Sequence, residues 1–211
     1  MSITKTSLVL EIIRKLGANF IPLHGEKPVI DAINEAQLDI LNTLPERFLS
    51  NAIKTAKADI AANTALYQFP DDLMRLVEVR VDYAAAISET NRGKQALEYI
   101  PEEHFGSIDE IATRNYPFFT PDIEKGFEVY PTVSAAVTNG LWIKYIYRLP
   151  SVSDNQDCLL DKRLKNLLVY RATSLCCSFE GFDEKLAGKY NQYYNDELKR
   201  LLPKLERSAT Q

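Results

Sequence analysis

The chain has 211 residues, 45% of them hydrophobic and 26% charged, a balance that excludes a disordered, collagen-like or fibrous protein. That length buries a core without disulfide staples, as one domain or as one domain carrying a second small lobe. A formal charge of −4 with a pI near 5.4 argues against affinity for nucleic acid, which relies on Lys and Arg neutralising phosphates.

Helical spacing comes first. Leu8, Ile12, Ile13 and Leu16 share one face of a short helix, and Gly17 stands where a left-handed C-terminal residue is wanted. Arg14 and Lys15 break the apolar run at once, so it reads as an amphipathic helix and not as a signal peptide. No stretch approaches the ~20 apolar residues of a membrane span. A loop with Pro22, His24 and Gly25 follows, and Pro28 opens a second amphipathic helix with Val29, Ile33, Ala36, Ile40 and Leu44 on its apolar face, stopping before Pro45. Its polar face carries Asp31, Asn34, Glu35 and Asp39, which suit solvent or a neighbouring subunit equally well.

From about Ile53 the period shortens to two, and residues 53–60 and 65–69 read as two paired strands. Pro70, Asp71 and Asp72 stop the second. Apolar Leu76, Val77, Val79 and Val81 among Glu78, Arg80 and Asp82 make a third. A hairpin tip is expected around Asn91, Arg92 and Gly93, then a strand over 96–100 and a short helix from Pro101 or Glu102. Pro117 and Pro121 confine residues 116–123 to an edge or an extended loop. Residues 126–130 and 141–147 alternate as strands, with Asn139-Gly140 between them as a turn dipeptide.

Two helices close the chain after a polar connection at 151–157. Leu164, Leu167, Leu168, Ala172, Leu175 and Cys176 mark the first, interrupted at Gly181, and Leu186, Tyr190, Tyr194, Leu198 and Leu201 mark the second. The order of helices, strands and helices predicts an α+β fold: an α-helical bundle formed by residues 1–50 and 151–211, with a β-rich lobe inserted at 51–150.

Residues that could carry chemistry are few. His104 follows Glu102 and Glu103, but positions one and two apart on a helix share no face, so a solvated His is expected rather than a metal ligand. Asp71-Asp72 has the chemistry to ligate Mg²⁺ or to act as acid and base, yet after Phe69-Pro70 it more simply caps a turn. Cys158, Cys176 and Cys177 form no disulfide or zinc pattern, which fits a reducing compartment such as cytoplasm. Cys176 and Cys177 point about 100° apart on a helix, and Cys176 reads as a small core residue. No Gly-rich phosphate loop, Gly-x-Ser-x-Gly elbow or His-Glu-x-x-His helix is present. The expectation is therefore a chain that is not an enzyme, with no catalytic, cofactor-binding or metal residues and no cofactor.

The positive signal is aromatic, with 11 tyrosines and nine phenylalanines. Tyr190, Tyr193 and Tyr194 make a stripe suited to an interface or to the bundle core. Trp142 shares its strand face with Gly140 and Lys144, opposite Leu141, Ile143 and Tyr145, and is expected to face outward toward a partner. Pro203 should end the last helix and leave an arm, residues 204–211, of the kind that orders on binding.

These features together resemble the head-to-tail adaptor (connector) proteins of tailed bacteriophages, the short-tailed type above all. The likeness runs through Arg14-Lys15-Leu16-Gly17, then Tyr67-Gln68-Phe69-Pro70-Asp71-Asp72-Leu73, Phe127-Glu128-Val129-Tyr130-Pro131, Tyr145-Ile146-Tyr147-Arg148-Leu149-Pro150, and finally Tyr170-Arg171-Ala172 with Tyr190 to Tyr194. It implies a structural virion protein, made in the host cytoplasm and assembled in the neck. There it forms a ring, twelve-membered in the family, that joins the portal protein to a tail nozzle or other tail proteins. Genomic DNA passes through such a ring without sequence-specific binding, and a net negative wall would not retard it. No membrane partner is implied. The family also implies a portal contact through the C-terminal segment, here Lys204, Leu205, Glu206 and Arg207, with Trp142, Tyr190, Tyr193 and Tyr194 as candidate interface residues. The competing reading is a cytoplasmic protein- or ligand-binding module without catalysis.

Overall fold

A computed structural model describes residues 3–17, 20–84, 95–99, 117–122, 126–179 and 182–202. The fold is α+β, in two compact units: Met1–Ala52 together with Arg148–Gln211, and Ile53–Tyr147.

In the helical unit, α1 (Lys5–Leu16) starts on Thr4, whose hydroxyl accepts the Ser7 amide, and buries Leu8, Val9, Ile12 and Leu16. It ends where the Gly17 amide donates to the Ile13 carbonyl, with Gly17 at φ 90°. The segment expected to be a loop contains a five-residue helix, α2 (Phe20–His24), so His24 lies on a helix. Ring contacts among Phe20, His24 and Phe182 account for it, a long-range term that local sequence does not display.

Helix α3 (Lys27–Thr43) carries Pro28 in its first turn. It packs on α4 (Lys165–Ser178), which buries residues around most of its circumference, from Leu167, Leu168 and Val169 to Thr173, Cys176 and Cys177. Thr173 and Ser174 tolerate that burial because their hydroxyls donate to the carbonyls of Val169 (2.7 Å) and Ala187 (2.9 Å). The last helix, α5 (Glu184–Leu201), begins where Asp183 accepts the Leu186 amide, and it packs along α4 with Ala187, Tyr194 and Leu198 inward. Buried Gln37 ties α3 to the connection before α4, donating to the Pro150 carbonyl and accepting from the Cys158 thiol.

In the β unit one sheet has the order β1-β8-β3-β4, built from Ile53–Ile60, Val137–Tyr147, Leu73–Val81 and Gln95–Ala96. The other has the order β2-β7-β6-β5, from Leu66–Tyr67, Gly126–Tyr130, Phe118–Asp122 and Glu98–Tyr99. Ile60, Val79, Leu141 and Ile143 of the first sheet share a core with Tyr67, Phe127 and Val129 of the second. β1 and β2 were expected to pair with each other, and they do not. β1 pairs antiparallel with β8, and β2 with β7, because in each case the partner with a matching apolar face lies some 60 or more residues on.

Asn139-Gly140 is not a hairpin turn but lies inside β8. The register between β1 and β8 shifts there, from Ala58↔Leu141 to Ile60↔Val137, so the dipeptide supplies a bulge. Asn139 takes φ 50°, and its amide donates to the Asp59 carboxylate at 2.7 Å. The sequence signal was a real one for positive φ, and the chain uses it to kink a strand. Residues 118–122 form β6, between β7 and β5, yet the pairing to β5 involves only Phe118 and Phe119. Pro121 thus stands beyond that ladder, where its missing N–H costs no bond to β5.

The expected tip at Asn91 to Gly93, the short helix from Pro101 or Glu102, His104, Gly181 and Pro203 lie outside the described residues.

Candidate functional site

The side chains with chemical potential come first. Among the described residues no three His, Cys, Asp or Glu stand close enough to hold a metal. Asp72 is engaged: its carboxylate accepts from Lys54 Nζ (2.6 Å) and from the Tyr145 hydroxyl (2.9 Å), and these contacts, Lys54 first, hold it below the usual carboxylate range. The turn before it is closed by backbone, Leu73 N–H to the Pro70 carbonyl. Burial, together with the Asp72 carboxylate, pushes Tyr145 up to about 12. The three thiols are buried, and burial raises Cys158 and Cys177 to about 11 and Cys176 to about 12. Thiols so far from ionisation are poor nucleophiles and packing residues. His24 sits edge-on to Phe179 and Phe182.

The helical unit also carries a cleft of about 470 Å³ lined by Phe48, Arg163, Leu164, Arg200 and Leu201. Its floor is apolar. Its two guanidinium groups are each held by a neighbour, Arg163 by Asp161 at 2.9 Å and Arg200 by Glu197 at 2.5 Å. Among the described residues of its lining there is neither nucleophile nor general base, and these residues suit an apolar side chain.

The tyrosine stripe divides in two. Tyr194, only 7% exposed, turns inward to hydrogen-bond Thr43, and Arg171 lies 5.6 Å over its ring. Burial is the first cause of its raised pKa. Tyr193, 41% exposed, belongs to a surface cluster with Tyr190 and Tyr170, at centroid separations of 5.7 to 6.3 Å. Lys15 stands over Tyr170 and Tyr190, and Lys189 over Tyr193. Sequence reasoning assigned no interface role to Tyr170 or Lys15. The available signal was Tyr170 itself, an aromatic residue placed off the apolar face that Leu167, Leu168 and Ala172 define.

Trp142 requires a correction. It is on the strand face opposite the core cluster, as alternation demands, but it is 7% exposed rather than open to solvent. β8 is a central strand, with Lys57 of β1 and Arg80 of β3 directly beside Trp142, and the Arg80 guanidinium lies 6.0 Å over its ring. Long cationic side chains on flanking strands cover an outward ring, a term that the sequence of one strand does not contain. Lys204, Leu205, Glu206 and Arg207 lie outside the described residues.

What remains is a polypeptide with buried thiols, an Asp72 carboxylate held by Lys54 and Tyr145, and a cationic aromatic surface on its helices. Among the described residues no helix is long and apolar enough to cross a membrane. No curated protein sequence matches the chain. A model of the family described as SU10 adaptor protein matches residues 3–211. The chain belongs to the SU10 adaptor protein family, and thereby to the structural adaptor components of phage.

Proposed function

We propose that the chain forms a ring, a dodecamer by its resemblance to phage adaptors, between the portal and the tail nozzle or other tail proteins, with the genome passing through its channel. The observation that carries this reading is the cluster of exposed Tyr193 with half-buried Tyr170 and Tyr190, on a unit whose core is already filled by α4. Aromatic surface beyond what one core needs suits a subunit that must meet neighbours. The charge of −4 per copy fits a conduit that does not hold DNA. It also opposes self-assembly, so the isolated chain is expected to be monomeric or weakly associated at micromolar concentration until a portal templates it.

The portal contact falls to the segment Lys204, Leu205, Glu206 and Arg207, with Leu205 as an apolar anchor between charges. Electron microscopy of native particles tests the whole proposal: a ring of this chain coaxial with the portal is expected, and its absence from the neck ends the reading. Deleting residues 204–211 tests the portal contact separately. The expected outcome is an unchanged melting temperature with severely weakened portal binding, and unchanged binding would move the contact elsewhere.

A further inference from the structure

The two flanks of α5 differ in chemistry. On the flank toward α1, Lys15 stands 5.5 Å over Tyr170 and 5.9 Å over Tyr190, Lys189 stands 5.7 Å over Tyr193, and Tyr193 carries this cationic aromatic face into solvent. On the flank toward α3, Arg171 of α4 joins Asn191 (3.4 Å) to Asp39 (2.6 Å). Asp39 is the last of three carboxylates spaced four apart, Asp31, Glu35 and Asp39, a spacing that a helix stacks along one edge.

Among the described residues only the last of the three is compensated. Arg171 takes Asp39, whereas Asp31 and Glu35 are exposed and among the described residues neither makes an ion pair. Like charges one helical turn apart destabilise the edge that carries them, so this edge gains from cations supplied from outside. The lysines of the other flank are of the matching kind. Resting over tyrosine rings, they lose little freedom on docking, and the rings around them exclude water from the pairs they would make.

Complementary surfaces on two flanks of one chain suit head-to-tail closure, in which each copy gives one face to the copy before it and the other to the copy after it. We propose that the Lys15–Lys189–Tyr193 face of one copy docks on the Asp31–Glu35 edge of the next copy around the ring. This contact rests on the ring reading given above. It assigns to the acidic face of α3 a role between subunits, and it places Tyr193 at the centre of the contact.

Charge reversal with rescue is the test, on full-length chain assembled with its portal and scored by electron microscopy for ring occupancy. Lys15→Glu with Lys189→Glu, or Asp31→Lys with Glu35→Lys, should each lower occupancy about tenfold or more. The chain carrying all four changes should regain it, because each pair again meets its opposite. Far-ultraviolet circular dichroism checks that every variant is folded. An independent measurement uses the burial of Cys158, Cys176 and Cys177: mixing Glu35→Cys chains with Lys189→Cys chains in assembled particles should yield a crosslink between copies. Normal occupancy in either reversed chain, failure of the fourfold chain to recover, or no crosslink overturns this contact and leaves the ring reading standing. A wild-type chain that forms no ring on the portal overturns both.

Discussion

In the helical unit the core is organised about α4, a single helix buried on most of its surface, with α1, α3 and α5 against it. In the β unit it lies between two sheets whose strands come from distant parts of the chain. The two also treat aromatic surface differently. Arg80 over Trp142 and Lys54 over Tyr147 (3.9 Å) cover the rings of β8, whereas Lys15 and Lys189 leave Tyr193 open to solvent. A cation over a ring thus does two jobs in one molecule, completing a fold on the strand and dressing a surface for association on the helix.

The largest effects should come from each core, and the single tryptophan makes them separable. Trp142 is the only tryptophan and lies in the β unit, so its emission follows that unit, while far-ultraviolet ellipticity follows mainly the helices. Phe127→Ala, at a fully buried site, should cost about 3–5 kcal/mol. Leu168→Ala in α4, equally buried, should cost about 2–5 kcal/mol. If the units unfold independently, the first change moves the fluorescence transition in urea and the second moves the ellipticity transition. Coincident transitions in both variants would show one cooperative system and dissolve the comparison. Trp142 emission in the folded chain should already be blue and protected from quencher, since the residue is 7% exposed. Solvent-like emission would restore the outward orientation expected from strand alternation alone.

A smaller effect is expected at the bulge. A Cβ at Gly140 would stand 2.8 Å from Ile60 Cδ1 and 3.0 Å from the Asp82 backbone oxygen, and the Asp82 amide is tied to the Gly140 carbonyl at 2.8 Å. Gly140→Ala should destabilise the β unit by about 1–3 kcal/mol through overpacking, read as a shift of the fluorescence midpoint with the ellipticity midpoint held. An unshifted midpoint would mean that Ile60 yields.

The same contrast explains what the sequence made legible. Helix α3 and the two closing helices could be read because their 3.6-residue period and start signals such as Pro28 are local. Strand existence was also visible, but pairing was not, since nothing near β1 says that its partner is β8. Asn139-Gly140 announced positive φ without saying whether a turn or a bulge would use it. For the candidate surface, spacing separated neither Tyr193 from Tyr194 nor Trp142 from solvent. Exposure at each depends on side chains from other elements, Thr43 and Arg171 in one case and Arg80 in the other.

The smallest expected effect belongs to Asp72, and pH gives it a sign. Lys54 and the Tyr145 hydroxyl hold this carboxyl below its ordinary value, so the folded chain favours the ionised form. A depressed folded pKa contributes stability that is present above the unfolded value, about 3.9, and is lost as pH falls through the folded value. Because the side chains of Lys54 and Asp72 are 46% and 37% exposed, solvent screens the pair, and Asp72→Asn should cost no more than about 1 kcal/mol near neutral pH. The deficit should shrink as the pH drops through the acid range, where wild type loses the same contribution, and it should shrink with added salt. Tyr145 sets the opposite limit. Raised to about 12, it favours the protonated phenol in the fold, so its contribution is intact below the ordinary tyrosine value of about 10 and disappears as pH rises through the folded one. Urea midpoints of wild type and Asp72→Asn across this range measure both ends. A gap between them that stays constant from neutral to acid pH would show that the Lys54–Asp72 pair adds nothing.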